Sequence, residues 1–162
     1  MTSPGRLEKI DKLGQGFEVG EAGPEFAGEA KSMYDGFARL AISQGLPPSD
    51  KEIRDRWIDR LFEFGSNFLA WTDGLTVGHA AVIPDFDRGD GEFVIFVSEA
   101  YRNRGVGTAL TTLAIEFSRN MGLRRLWLTV EAFNFRAIRL YRNAGFAIVD
   151  EIERERTMVL RL

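Results

Sequence analysis

A chain of 162 residues, 44% hydrophobic and 28% charged, is long enough for one domain with a real core and is neither disordered nor fibrous in composition. Its formal net charge of −3 argues against a nucleic-acid partner, which would demand a basic face. With no cysteine it has no disulfide, thiolate nucleophile or cysteine-bound zinc, and without an apolar leader or a run of eighteen apolar residues it is expected to be soluble and cytoplasmic, not bound to a membrane.

Met1 to Gly23 is polar and contains glycine, with one short strand expected around Phe17 to Val19. Phe26, Ala30, Met33, Tyr34, Phe37 and Ala41 then form a helical stripe, ended by Gly45 and Pro47-Pro48. Ser49 with Glu52 has the spacing of a capping box and opens a second helix with the apolar face Ile53, Trp57, Ile58, Leu61 and Phe62. Asn67 to Thr72 and Leu75 to Ile83 are strands joined by Asp73-Gly74, a two-residue hairpin signal. The single histidine, His79, falls in the second of them and is expected to be structural or on the surface. Asp85 to Gly91 makes a solvated turn, without the spacing of a calcium loop.

Next comes Phe93 to Val97, a β-branched and aromatic run that reads as a buried strand. A polar elbow, Ser98 to Arg104, leads to Gly105-Val106-Gly107. From there Val106, Ala109, Leu110, Leu113, Ala114, Phe117 and Met121 mark one face of a helix. Two glycines therefore sit where a strand hands over to a helix N-terminus, whose first N–H groups lack partners and whose dipole is positive. This suits a phosphate or another anion, with Arg102 and Arg104 adding charge. Taken alone, the same residues also describe a tight turn with two solvated arginines. After Gly122 the chain continues with a strand, Leu126 to Val130, and a block from Glu131 to Phe146. Ala147 to Ile152 and Thr157 to Leu162 then form a terminal hairpin across Glu153 to Arg156.

Two blocks together carry a resemblance. Arg102 to Gly107 fits (Arg/Gln)-x-x-Gly-x-(Gly/Ala), and Val130 to Phe146 fits Val-x-x-x-Asn-x-x-Ala-x-x-Leu-Tyr-x-x-x-Gly-Phe at every fixed position. In their order and spacing the chain resembles the GNAT superfamily of acyl-CoA-dependent N-acyltransferases, well over roughly residues 67 to 162 and loosely before that. The resemblance implies a single α+β domain over residues 1–162. Its mixed, mostly antiparallel sheet would be flanked by helices, with two central parallel strands splayed apart. It also implies acetyl-CoA as acyl donor, no metal, and direct attack of a primary amine on the thioester.

By the same resemblance the loop residues Arg102, Asn103, Arg104, Gly105, Val106, Gly107 and Thr108 hold the pyrophosphate, the backbone amides of Arg104 to Thr108 making the contact. Strand residues Ile95, Phe96 and Val97 offer backbone to pantetheine as to an added strand. Asn134 carries over as a pantetheine contact, and suits a helix N-cap equally well. Tyr141 carries over as the general acid for the departing thiolate. For the base, Glu92-Phe93-Val94-Ile95-Phe96-Val97 has the local form of bacterial protein-lysine acetyltransferases, so Glu92 is expected there and Glu131 is the reserve. Glu92 lies on the opposite face of a regular strand from Val97, so a bulge or a water would be needed to bring it to the thioester. In relatives the two helices after the first strand wall the acceptor site, which makes Tyr34, Phe37 and Trp57 candidate substrate contacts.

A dinucleotide site is the rival enzyme reading, but its third glycine would fall at Leu110 and no series of βαβ units surrounds it. A non-catalytic acyl-CoA-binding module is the rival of another class, and it has no chemical need for Asn134, Tyr141 and a carboxylate together. The acceptor is left open between a small-molecule amine and a protein lysine. Open terminal strand edges are compatible with a homodimer.

Overall fold

Strand and helix alternate along the chain much as the apolar spacing requires. The structure, a computed structural model, describes residues 5–37 and 47–162. It contains β1 (Arg6–Ile10), β2 (Gly16–Ala22), α1 (Ala27–Asp35), α2 (Lys51–Phe64), β3 (Ser66–Thr72), β4 (Leu75–Asp85) and β5 (Asp90–Val97). There follow α3 (Val106–Asn120), β6 (Arg125–Glu131), α4 (Phe135–Ala144), β7 (Ala147–Ile152) and β8 (Glu155–Arg161). Among the described residues the strands form one eight-stranded sheet in the order β1-β2-β3-β4-β5-β6-β8-β7. All neighbours are antiparallel except β5 and β6, which are parallel. This is the expected mixed, mostly antiparallel α+β sheet.

Strand alternation sorts the core into two layers. Phe68, Ala80 and Val82 pack with Val106, Leu110 and Ala114 of α3 and with Ile138 and Tyr141 of α4. On the other face Leu69 and Trp71 pack with Ala30, Met33 and Tyr34 of α1 and with Ile58 and Phe62 of α2. The Asp73-Gly74 hairpin forms as expected, with φ values of 48° and 76° that suit the two-residue turn.

Three local expectations need correction. The N-terminal stretch holds two strands, not one, because β1 pairs with β2 from Arg6↔Gly20 to Ile10↔Gly16. β1 lies at the sheet edge and is exposed along most of its length, so it lacks the alternation that marks a half-buried strand. Within the described residues the first helical stripe is α-helical over Ala27–Asp35, while Ala41 and Gly45 lie outside them. The cap of α2 is Asp50, whose carboxylate accepts from the Ile53 N–H at 2.9 Å; Ser49 stands one residue too early.

His79 is fully buried at the junction of the α1/α2 layer with the sheet. Asn67 Nδ2 donates to the Leu61 carbonyl at 2.9 Å and the Gly65 carbonyl at 3.2 Å, which turns Asn67 Oδ1 toward His79 Nε2 at 2.8 Å. Nε2 therefore carries the proton, and Nδ1 accepts from the Tyr34 hydroxyl at 2.8 Å. Burial lowers the imidazole pKa to about 3, so the ring is neutral and structural.

Candidate active site

The site begins where the sheet stops pairing. β5 and β6 are paired only at Asp90↔Arg125, Gly91↔Leu126 and Glu92↔Trp127. Beyond that, β5 is held on its outer edge by β4 as far as Val97, and β6 by β8 as far as Glu131. Each strand is thus pinned away from the other, and the gap stays open although backbone groups line it. The closed end is packed around Gly91, where an added Cβ would meet Val82 Cγ1 at 2.9 Å and Leu123 Cδ1 at 3.1 Å.

The gap opens into a cleft of about 940 Å³. Ile95, Phe96, Val97, Arg102, Asn103, Gly105, Gly107, Thr108, Asn134 and Tyr141 all line it, as do both candidate bases, Glu92 and Glu131. Ten of the coenzyme contacts expected from sequence are therefore brought to one place. Gly105 has φ +100°, a conformation costly for any residue with a Cβ, and among the described residues no atom beyond its chain neighbours lies within 4 Å of where that Cβ would stand. Such a turn at the start of α3 leaves room for a ligand against the backbone. Gly107 packs closely on α4: a Cβ there would meet Leu140 Cδ2 at 3.3 Å, so that side chain would have to give by a few tenths of an ångström.

Arg104 and Val106 do not line the cleft with their side chains. Val106 is buried in the α3 layer. Arg104 turns toward the β1–β2 turn, donating from Nε to Asp11 Oδ2 at 2.7 Å and from Nη2 to Gln15 Oε1 at 2.5 Å. The expectation that Arg104 adds charge to the loop is corrected, since Asp11 neutralises it. Arg102 does face the cleft, and its Nε donates to the Val97 carbonyl at 3.0 Å. A further contact to that carbonyl must use its second lone pair. Burial and the neighbouring Arg136 guanidinium pull the Arg102 pKa down, with Glu99 opposing, yet a guanidinium stays charged at ordinary pH.

Tyr141 projects from α4 with its ring between Phe93 and Phe146, at centroid distances of 6.4 and 5.9 Å. Burial pushes its pKa up to about 12, so the phenol is a proton-bearing donor throughout the neutral range. Asn134 caps α4, its Oδ1 accepting from the Ala137 N–H at 3.2 Å. Its amide nitrogen is left for the cleft, so cap and ligand contact are compatible.

Glu92 stands at the junction of this cleft with a smaller one of about 500 Å³ floored by Trp127 and Val159. Burial raises its pKa from the ordinary carboxylate value. β5 pairs with β4 in continuous register from Asp90 to Val97, so the bulge that would have brought Glu92 round is absent from this pairing. Glu92 therefore shares a face with Phe96, which packs on Tyr34, Phe37 and Trp57, while Phe93 faces Tyr141.

Of the three aromatic residues expected near the acceptor, Phe37 lines the cleft. Tyr34 is a core residue with its hydroxyl spent on His79, and Trp57 packs against Phe96 without lining the cleft. Sequence reasoning missed Lys12, Phe133, Arg136, Arg139 and Glu155, all of which line it. Arg136 and Arg139 could have been found from their i, i+3 spacing beside Asn134. Nothing local marks Lys12. Among the described residues, no cluster of His, Asp or Glu is arranged to hold a metal, and no helix is long and apolar enough to cross a membrane.

The chain is similar to known proteins in sequence and in fold. A mycothiol acetyltransferase of Geodermatophilus obscurus is 34% identical over 102 residues, 59% of this chain and 33% of that protein. The chain spans about a third or less of the length of the mycothiol acetyltransferases it matches. The GNAT domain of S. lividans PAT superposes with a TM-score of 0.84 at 16% identity, covering 97% of both chains. The PaiA N-acetyltransferase from Thermoplasma acidophilum, in complex with coenzyme A, superposes at 0.71 with 15% identity over 90% of this chain and 99% of that one. The profile of the acetyltransferase (GNAT) family matches residues 31–146, and the chain belongs to that family.

Proposed function

We propose that the chain is an N-acetyltransferase that moves an acetyl group from acetyl-CoA to a primary amine within a ternary complex. The observation that carries this reading is the parting of β5 and β6 after Glu92↔Trp127, which opens into one cleft holding the Gly105–Gly107 turn, Tyr141 and Glu92. The residues present suit the coenzyme. Lys12, Arg102, Arg136 and Arg139 line the cleft with cationic groups, and the start of α3 offers N–H donors to a diphosphate. Ile95 and Val97 offer strand backbone to an extended pantetheine, and Asn134 offers its amide.

The acceptor is an ammonium near neutral pH, and the neutral amine it yields attacks the thioester carbonyl with C–N formation and C–S cleavage, its second proton passing to the leaving sulfur. Glu92 takes the first proton of the ammonium, directly or through a water. Its raised pKa makes it a stronger base than an ordinary carboxylate. Tyr141 hydrogen-bonds the developing thiolate. A phenol near 12 does not give its proton fully to a thiolate whose free thiol has a pKa of about 8.5 unless the same burial also raises the thiol. Glu92 and Tyr141 lie toward opposite faces of β5, which suits an amine arriving from the α1/α2 side and sulfur leaving toward α4.

For the acceptor, the Glu92-Phe93-x-x-x-Val97 form supports a protein lysine. The second reading, a small-molecule amine, is supported by the mycothiol acetyltransferase matches. Thiol release from acetyl-CoA, measured with panels of amines, peptides and proteins, tests both. Amine-dependent release is expected. Coenzyme binding without turnover on any acceptor would leave the non-catalytic module in its place.

A further inference from the structure

We infer that Lys12, in the turn between β1 and β2, is a coenzyme-binding residue that contacts a phosphate of CoA. It lies about ninety residues before the loop, outside both sequence motifs, and the Asp11–Arg104 ion pair holds it there. The inference rests on the reading of the cleft as an acyl-CoA site.

The turn is built around Asp11. Its backbone N–H donates to the Gln15 carbonyl at 2.8 Å, and its Oδ1 accepts from the N–H groups of Leu13 at 2.8 Å and Gln15 at 2.9 Å. Its other oxygen accepts from Arg104 Nε at 2.7 Å and stands 2.5 Å from Nη2, an ion pair that is largely buried on both sides. Burial raises the Asp11 pKa, but the hydrogen bonds from Gln15, Arg104 and Leu13 and the Arg104 charge outweigh it, so the carboxyl lies below its ordinary value and the pair is ionised. Gln15 adds a contact to the same guanidinium.

A backbone bond completes the junction. The Lys12 N–H donates to the Arg104 carbonyl at 3.0 Å. In a trans peptide the next N–H, that of Gly105, points the opposite way, so this bond also sets the direction of the first glycine amide of the loop. Two segments far apart in sequence thus form one rigid corner at the start of α3.

The Lys12 side chain has a different environment from that of Arg104. It is exposed and lines the same cleft as Arg102, Gly105, Gly107 and Thr108. Arg104 has given its charge to Asp11, and the corner places an ammonium where the loop motif lacks a second free cation. A compact ammonium with three donors suits a phosphate oxygen. The pyrophosphate and the 3′-phosphate of CoA offer the same chemistry, and the two are separable by experiment.

The test is calorimetric titration of wild type, Lys12→Ala and Lys12→Arg with CoA and with dephospho-CoA, at low and high salt. Lys12→Ala should bind CoA about three- to tenfold more weakly at low salt, less so at high salt, and Lys12→Arg should recover most of the loss. If the same loss appears with dephospho-CoA, the contact is to the pyrophosphate; if it disappears, the contact is to the 3′-phosphate. Lys12 is exposed, so Lys12→Ala should keep the wild-type melting temperature. Equal CoA affinity of wild type and Lys12→Ala at low salt overturns the inference while the cleft reading stands. Failure of the wild type to bind CoA removes the cleft reading and this inference with it.

Discussion

Tyr141 and Glu92 separate packing from chemistry at the level of single groups. Replacing Tyr141 by Phe keeps the ring between Phe93 and Phe146 and removes only the hydroxyl. In the proposed mechanism that hydroxyl meets the charge developing on sulfur, so Tyr141→Phe should lower kcat by about a hundredfold and leave acetyl-CoA affinity nearly unchanged. Steady-state rates beside calorimetry measure this, and an unchanged kcat with chemistry rate-limiting would make Tyr141 a packing residue. Glu92→Gln keeps size and removes basicity. Since burial raises the Glu92 pKa, the wild-type rate should fall with acid at a higher pH than an ordinary carboxylate would give. The variant should be most impaired near neutral pH and approach wild type at higher pH, where the amine loses its proton unaided. A wild-type rate and pH profile in Glu92→Gln would reject the role, and Glu131→Gln would then be measured in the same way.

Element boundaries depend on caps and turns, which act over one or two residues. Asp50→Ala removes the acceptor for the Ile53 N–H at the start of α2 and should cost about 1 kcal/mol, whereas Ser49→Ala should cost almost nothing. Urea unfolding of the two variants distinguishes them, and a larger loss at Ser49 would restore the capping box read from sequence. At the start of α3, Gly105→Val forces a β-branched residue into φ +100° and puts its side chain into the space left against the loop. Coenzyme binding should be lost in titrations of folded variant, and an unchanged affinity would place CoA elsewhere.

For the molecule as a whole, the buried Tyr34–His79–Asn67 chain makes stability depend on pH. In the unfolded chain the imidazole takes a proton below about 6.5, but in the fold its pKa is about 3. Its neutral form is therefore favoured by folding. That contribution is fully present above about 6.5 and lost as pH falls toward 3, by about 1.4 kcal/mol per pH unit across the window. His79→Gln should be less stable at neutral pH and should lose stability more slowly on acidification. Unfolding curves at several pH values check this, and a variant with the same acid slope as wild type would assign the slope to other groups.

Local sequence determined the elements and named most of the residues that line the candidate site. Apolar spacing marks α2, α3 and the strands from β3 onward, and Asp73-Gly74 specifies its hairpin, because period and turn chemistry are properties of neighbouring residues. The loop from Arg102 to Gly107 and the block from Val130 to Phe146 are legible for the same reason: a ligand held on one turn and one helix needs its groups at set intervals. Tertiary structure alone decided where charges and faces ended up. The β1–β2 hairpin is invisible to a reading by period because its edge strand is mostly exposed. Arg104 reads as a cation for the loop until Asp11 arrives from the other end of the chain to neutralise it, and Lys12 comes to the cleft by that same long-range contact. Likewise, residue order puts Glu92 and Val97 on opposite faces of a regular strand, but only the unbroken pairing of β5 with β4 decides that no bulge reverses this, leaving Glu92 and Tyr141 toward opposite faces.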